Sequence, residues 1–163
     1  KTYHALVHGR PLWQETEVDI PLRADGDQKH RSVRDPKRGK TAITRFRVVG
    51  ECGPYTWIEA DLITGRTHQI RAHLQLSGLS IVCDPLYGDG KPVFLSGFKR
   101  SWRGDSFTER PLLDRLALHA WRMEITHPAT GTRETFTAPY PRDLDALRNQ
   151  LSKLFGTDPL AGC

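Results

Sequence analysis

In the stretch ITGRTHQIRAHLQLSG, residues 63–78, two arginines, two histidines and two glutamines crowd around what the pattern makes a helix start. The first backbone N–H groups of a helix lack intrahelical partners and carry the positive end of its dipole, so such a start attracts anions. Arg66 and Arg71 would reinforce it, with His68 between them. A phosphate or a carboxylate suits it equally, and an exposed polar face carrying a surface arginine pair is the plain alternative. Metal binding by His68 and His73 is disfavoured. Five residues apart they share no helix face, no HExxH pattern is present, and no acid lies in that turn.

Two further groups could hold a polyanion. From Lys29 to Arg47 the chain carries eight Lys or Arg and one acid, Asp35. Lys37, Arg38 and Lys40 stand closest together there, on a Gly- and Pro-punctuated loop suited to phosphates; solvated charge is the competing reading. In VFLSGFKRSWR, Phe94, Phe98 and Trp102 lie four apart among Lys99, Arg100 and Arg103, so rings could stack bases while cations hold the backbone. The same spacing fits a buried helix stripe, which for Phe94 and Phe98 is the better reading.

These residues need elements to position them. KTYHALV opens in strand-like composition, ETEVDI follows as a short strand, and ADGDQKHRSVRDPKRGK reads as an exposed loop or ribbon. RFRVV and YTWIEADLI form a strand pair across GECGP, because Ile58, Ala60 and Leu62 alternate with Trp57, Glu59 and Asp61. Thr67 can cap a helix that runs to Gly78, with Ile70 and Leu74 facing the core and His68, Arg71 and Gln75 opposite. SIVC reads as a short apolar strand, and the long connection from Asp84 to Arg115 needs structure of its own or a binding role. Trp121, Met123 and Ile125, then Phe136 and Ala138, alternate across HPATG as a hairpin. Leu144, Leu147, Leu151 and Leu154 stripe a final helix that stops at Gly156. Strands and helices do not alternate strictly, so the expected class is α+β, with a mixed, largely antiparallel sheet flanked by helices.

Composition sets outer bounds. The 163 residues, 37% hydrophobic, can build one core. A net charge of +5 favours a polyanionic partner. Cys52, Cys83 and Cys163 are odd in number and lack CxxC spacing, which argues against a disulfide framework or zinc knuckle and for a reducing, cytoplasmic setting. No apolar run is long enough for a bilayer helix.

KTYHALVHG, TGRTHQIRAHLQLSG, DPLYGD and RLALHAWRMEITHPATG resemble, in order and spacing, the later motifs of the RluA-type family of RNA pseudouridine synthases. The resemblance runs from Lys1 to about Pro139. It implies isomerisation of uridine to pseudouridine in structured RNA, ribosomal or transfer, without cofactor or metal. An aspartate of an HRLD motif attacks the flipped-out nucleotide, at base or ribose, the base–sugar bond breaks, the uracil rotates, and its carbon 5 joins the sugar. By the same resemblance, Tyr3 matches the tyrosine that packs on the target base and helps remove its carbon-5 proton. Arg71 matches the arginine that pairs with the catalytic aspartate, and Leu118 an apolar residue of the base pocket. A fixed guanidinium there would keep a carboxylate ionised in a dry pocket and aim it. Arg66 is then a phosphate contact or helix-start anchor.

The chain departs from the family at one decisive point. It contains no HRLD; Asp114-Arg115-Leu116 lacks the histidine, and Asp84 and Asp89 flank PLYG as turn formers. The expectation is therefore a C-terminal portion of the catalytic domain, residues 1–163, inactive by itself, with the nucleophile upstream. The rival expectation is an RNA-binding module without a catalytic aspartate. A phosphate-ester hydrolase ranks last, for want of a metal cluster or base. A smaller departure is Cys83, where the family usually has glycine, which bears on the local turn.

Overall fold

The computed structural model describes residues 1–161; Cys163 lies outside the described residues. In chain order the elements are β1 (Thr2–His8), β2 (Glu15–Asp19), β3 (Leu22–Arg23), β4 (Val33–Arg34), β5 (Ile43–Cys52), β6 (Tyr55–Leu62), α1 (Gln69–Leu76), β7 (Leu118–Thr126), β8 (Arg133–Thr137) and α2 (Arg142–Phe155). Six strands make one sheet in the order β2-β5-β6-β1-β7-β8, and β3 with β4 makes a small ribbon. The fold is α+β. Every pairing among the named strands is antiparallel.

The alternation along β6 resolves into a sheet covered on both faces. Tyr55 to Ala60 are buried at six consecutive positions, which a sheet with one wet face would not allow. On one side α1 reaches β5 through Gln69 and His73, both hydrogen-bonded to Thr44. On the other, the segment after α2 meets β5 at Gly50 and Cys52, where Cys52 Sγ donates to Thr157 O. Gly50 is required there, since a Cβ would stand 2.2 Å from Pro159 O. It follows a bulge at Val48, which turns the end of β5 toward that tail.

β1 sits inside the sheet, between β6 and β7. Its register places Tyr3 between Ala60 and Ala120, two small neighbours that leave room beside the ring. A second bulge, at Thr2 and Tyr3 against β7, lies at that same point. α2 buries Leu144, Leu147 and Leu151 and ends at Gly156 in the left-handed region (φ 73°), while Leu154 turns out of the stripe and is exposed.

Three local expectations give way. SIVC is not a strand: Ile81 makes a single bridge to Val7, and the chain then turns through Cys83 at φ 58°. That left-handed conformation is free for glycine and strained for cysteine, so the turn forms despite the substitution. Phe94, Phe98 and Trp102 do not line a helix, since the segment holds only a 3-10 turn at Leu95–Gly97 and all three rings are half-buried in irregular chain. Thr67 does not cap α1; His68 occupies the cap position at φ 54° with no side-chain cap bond.

Candidate functional site

The polar run before α1 divides into residues that tie the structure and residues that face a cavity. Gln69 replaces the missing cap. Its Oε1 accepts from Arg66 N (2.9 Å) and Thr64 Oγ1 (2.8 Å), and its Nε2 donates to Ile43 O and Thr44 Oγ1 (both 2.9 Å). Thr44 Oγ1 donates to His73 Nδ1 (2.9 Å), whose Nε2 donates to Ile20 O (3.0 Å). Burial lowers the His73 pKa and fixes it as a neutral core group. Among the described residues no cluster of His, Cys, Asp and Glu is placed to hold a metal ion.

Arg71 already has a carboxylate partner within the chain. Its Nε donates to Asp84 Oδ2 (2.8 Å) and its Nη2 to Asp84 Oδ1 (2.7 Å), while the guanidinium lies 4.9 Å from the centre of the Tyr87 ring. Asp84 is fully buried, and its Oδ1 also accepts from Leu86 N (2.9 Å) and Tyr87 N (3.0 Å). It is a turn former, as the sequence indicates, and an ion-pair partner as well, which the sequence does not reveal. Burial pushes its carboxyl up; the Arg71 hydrogen bonds and the two amides outweigh that and hold it below the ordinary carboxylate range. The Nη1 edge of Arg71 makes no hydrogen bond among the described residues, so the fork can take a second acceptor.

Tyr87 joins this pair to the basic loop. Its hydroxyl accepts from Ser32 N (2.7 Å) and lies 3.2 Å from His68 Nδ1, and Ser32 Oγ donates to Thr67 O (2.5 Å). Arg31 adds a bond to Leu86 O (3.2 Å). Burial and the Arg71 charge lower the pKa of His68, so the ring stays neutral at pH 7.

Tyr3, Arg66, His68, Arg71 and Leu118 all line one open cavity of about 280 Å³, with Leu62, Ile70 and Leu116 as its apolar wall. That is at the small end for ligand cavities, typically about 300–1,000 Å³, and suits a single planar base. Among the described residues no carboxylate lines it. Arg38 and Lys40 are not in this cavity. They line an adjoining one of about 400 Å³ together with Arg23 and Arg66. Lys37 lines neither and stands exposed on the loop. A larger cavity, about 480 Å³, lies over the ion pairs Arg45–Glu17 and Arg47–Glu59 on the face of β6 opposite Leu62, away from Tyr3.

Residues 1–76 match the family model described as RNA pseudouridylate synthase. Over 151 residues the chain is 38% identical to an uncharacterized RNA pseudouridine synthase of Chloroflexus aurantiacus, covering 93% of this chain and 42% of that protein. Over most of its length the chain is similar to RNA pseudouridine synthases. A second relative, ribosomal large subunit pseudouridine synthase C of Vibrio vulnificus, is 37% identical over 153 residues, which is 93% of this chain and 44% of that one. The chain thus spans less than half the length of these pseudouridine synthases. Among solved structures, human RNA pseudouridylate synthase domain containing 4 superposes with a TM-score of 0.66 at 21% identity, over 92% of this chain and 61% of that one. That likeness is one of fold.

Asp84 and Tyr87 were hidden in the sequence as site residues. They lie 13 and 16 positions after Arg71, beyond any helical or strand period, and only the DPLYG turn brings them back under α1. The one available signal was an acid at the head of a turn whose Arg partner had none of its own nearby.

Proposed function

We propose that these residues are the C-terminal portion of the catalytic domain of an RNA pseudouridine synthase, which isomerises uridine to pseudouridine in structured RNA, ribosomal or transfer. The observation that supports this best is the convergence of Tyr3, Arg71 and Leu118, from three separate elements, on one base-sized cavity beside a cationic one. In this reading Leu118 and the apolar wall hold the flipped uracil, and Tyr3 packs on it and assists loss of its carbon-5 proton. The catalytic aspartate comes from outside the 163 residues and meets the free edge of Arg71, whose other edge Asp84 holds in place. The guanidinium then keeps the nucleophile ionised and aimed. Arg66, His68, Lys37, Arg38 and Lys40 bind the RNA, no cofactor is needed, and the enzyme works in the cytoplasm.

A non-catalytic RNA-binding module is the second reading, favoured by the sealed position of Asp84 and the lack, among the described residues, of any carboxylate lining the cavity. Single-turnover pseudouridine formation separates the two. The complete protein should convert uridine in ribosomal or transfer RNA, and the 163-residue chain should bind such RNA without converting it. Turnover by the 163 residues alone would remove the argument for an external aspartate, and a complete protein that binds but never converts would leave the binding module.

A further inference from the structure

The RNA reading leaves open where the nucleic-acid backbone enters, and the structure localises it. We propose that the cavity between the 21–40 loop and the 65–67 turn is a phosphodiester subsite, holding the RNA backbone next to the nucleotide whose base lies in the Tyr3–Leu118 cavity. This rests on the reading above and adds a location to it. Four cations, Arg23, Arg38, Lys40 and Arg66, line the cavity, and no acid does among the described residues. All but Arg23 differ in their pairing from three neighbouring arginines. Arg31 is matched by Asp27, Arg45 by Glu17 and Arg47 by Glu59. Of the four in the cavity only Arg23 has an acid, Asp35 at 2.8 Å. Arg66 uses Nε on Thr41 O (2.9 Å) and keeps both terminal nitrogens. Arg38 and Lys40 make no side-chain hydrogen bond or ion pair among the described residues. Three uncompensated cations remain, enough for two consecutive linkages of one negative charge each.

The cations are mounted on a built turn. Asp35 Oδ1 accepts from Lys37 N (3.1 Å) and Arg38 N (2.9 Å), its backbone carbonyl accepts from Gly39 N (2.8 Å), and Lys40 exchanges both backbone bonds with Leu22. Gly39 is packed so closely that a Cβ would stand 2.4 Å from Asp35 O. The walls between the cations are Leu22, Ala24, Gly65 and Thr67, with no aromatic ring on which a base could stack. This favours backbone over nucleobase. Arg66 belongs to both cavities, so the phosphate bound here adjoins the base bound there.

The test uses the 163-residue chain and fluorescently labelled AAUAA, whose single uridine sets the register, with each linkage in turn made neutral as a methylphosphonate. One or two adjacent neutral linkages should weaken binding about tenfold, the scale of a lost charge-assisted hydrogen bond, and the others by less than about twofold. In R38A/K40A that position-specific penalty should shrink to about threefold or less, the remainder belonging to Arg66, and the log–log salt slope should fall by about 1.4, at roughly 0.7 per single-strand phosphate contact. K29A/R34A, which removes two charges outside the cavity, should keep the penalty. Equal penalties at every linkage, or a penalty undiminished in R38A/K40A, overturn the subsite while RNA binding stands. So does inorganic phosphate competing as well as the oligomer, which would make the cavity a free-anion site. Failure of the wider RNA reading shows earlier and separately, as no salt-dependent affinity of the unaltered chain for AAUAA, and takes the subsite with it.

Discussion

Arg71→Ala should reverse the way acid acts on this protein. Asp84 is fully buried and held by two Arg71 hydrogen bonds and two backbone amides. Removing one partner of a buried ion pair costs about 3–5 kcal/mol, and the surviving amides place the loss near the lower end. A loss of about 3 kcal/mol lowers the melting temperature of a domain this size by roughly 6–12 °C, at about 2–4 °C per kcal/mol. Domains have about 5–15 kcal/mol to lose, so the variant still folds. The pH dependence carries the sharper information. In the native chain the Asp84 carboxyl lies below its ordinary value of 3.8, so its contribution is present above the unfolded pKa and is lost as pH falls through the lower folded one. Without Arg71, burial raises the folded pKa above the unfolded one. The sign then inverts: the deficit is largest at pH 7 and shrinks as pH falls through the raised value and Asp84 takes up a proton. Urea unfolding followed by tryptophan fluorescence at pH 7, 6 and 5, read as the difference between variant and native chain with His68 replaced by Gln in both, cancels the contributions of His4 and His73 and removes that of His68, whose pKa Arg71 shifts. R71A/D84N should recover much of the loss at pH 7. A deficit under about 1 kcal/mol, or one that does not change with pH, would refute the claim that Arg71 is what keeps Asp84 charged.

Three other outcomes are expected. Tyr87→Phe keeps the ring beside Arg71 but leaves the buried Ser32 amide without its acceptor, so unfolding free energy should drop by about 1–3 kcal/mol and hydrogen exchange at Ser32 should accelerate. The His73, His4 and His68 pKa values all lie below 6.5 in the fold; their contribution is complete above 6.5 and lost as pH falls through the folded values, so melting temperature should decline from pH 7 to 5, and less steeply in His73→Gln. In the complete protein Arg71→Lys keeps the charge and loses the fork, so single-turnover pseudouridine formation should fall at least tenfold while RNA affinity stays within about twofold.

The parts of the fold that were legible are those with a period. Tyr55 to Leu62 alternate because a strand alternates, and Leu144, Leu147 and Leu151 repeat because a helix does; both elements lie where the pattern puts them. The parts that were not legible are fixed by groups distant in sequence. Thr67 looks like a cap, but its carbonyl is taken by Ser32 and the capping work passes to Gln69. Ile81 looks like a strand residue and finds only one partner, Val7, before Asp84 gathers the next turn. At the site, composition marked Arg66, Arg71, Arg38 and Lys40 as anion-seeking. That the first two share a cavity with Tyr3 and Leu118, and that Arg38 and Lys40 join Arg66 in another, depends on sheet register, which no local window contains.

The bond from Ser32 to Tyr87 bears on modularity. The 21–40 loop is the natural segment to exchange when RNA preference is to be changed, because it lies outside the main sheet and carries the cations. It is not an independent cassette. Its backbone is pinned by the same tyrosine whose ring lies beside Arg71 and whose hydroxyl reaches His68. A transplanted loop that does not place a backbone N–H against that hydroxyl would alter the support of the arginine along with the recruitment of RNA. Loop and DPLYG turn are therefore interchangeable only as a pair, with the backbone N–H at position 32 placed to meet the hydroxyl of residue 87.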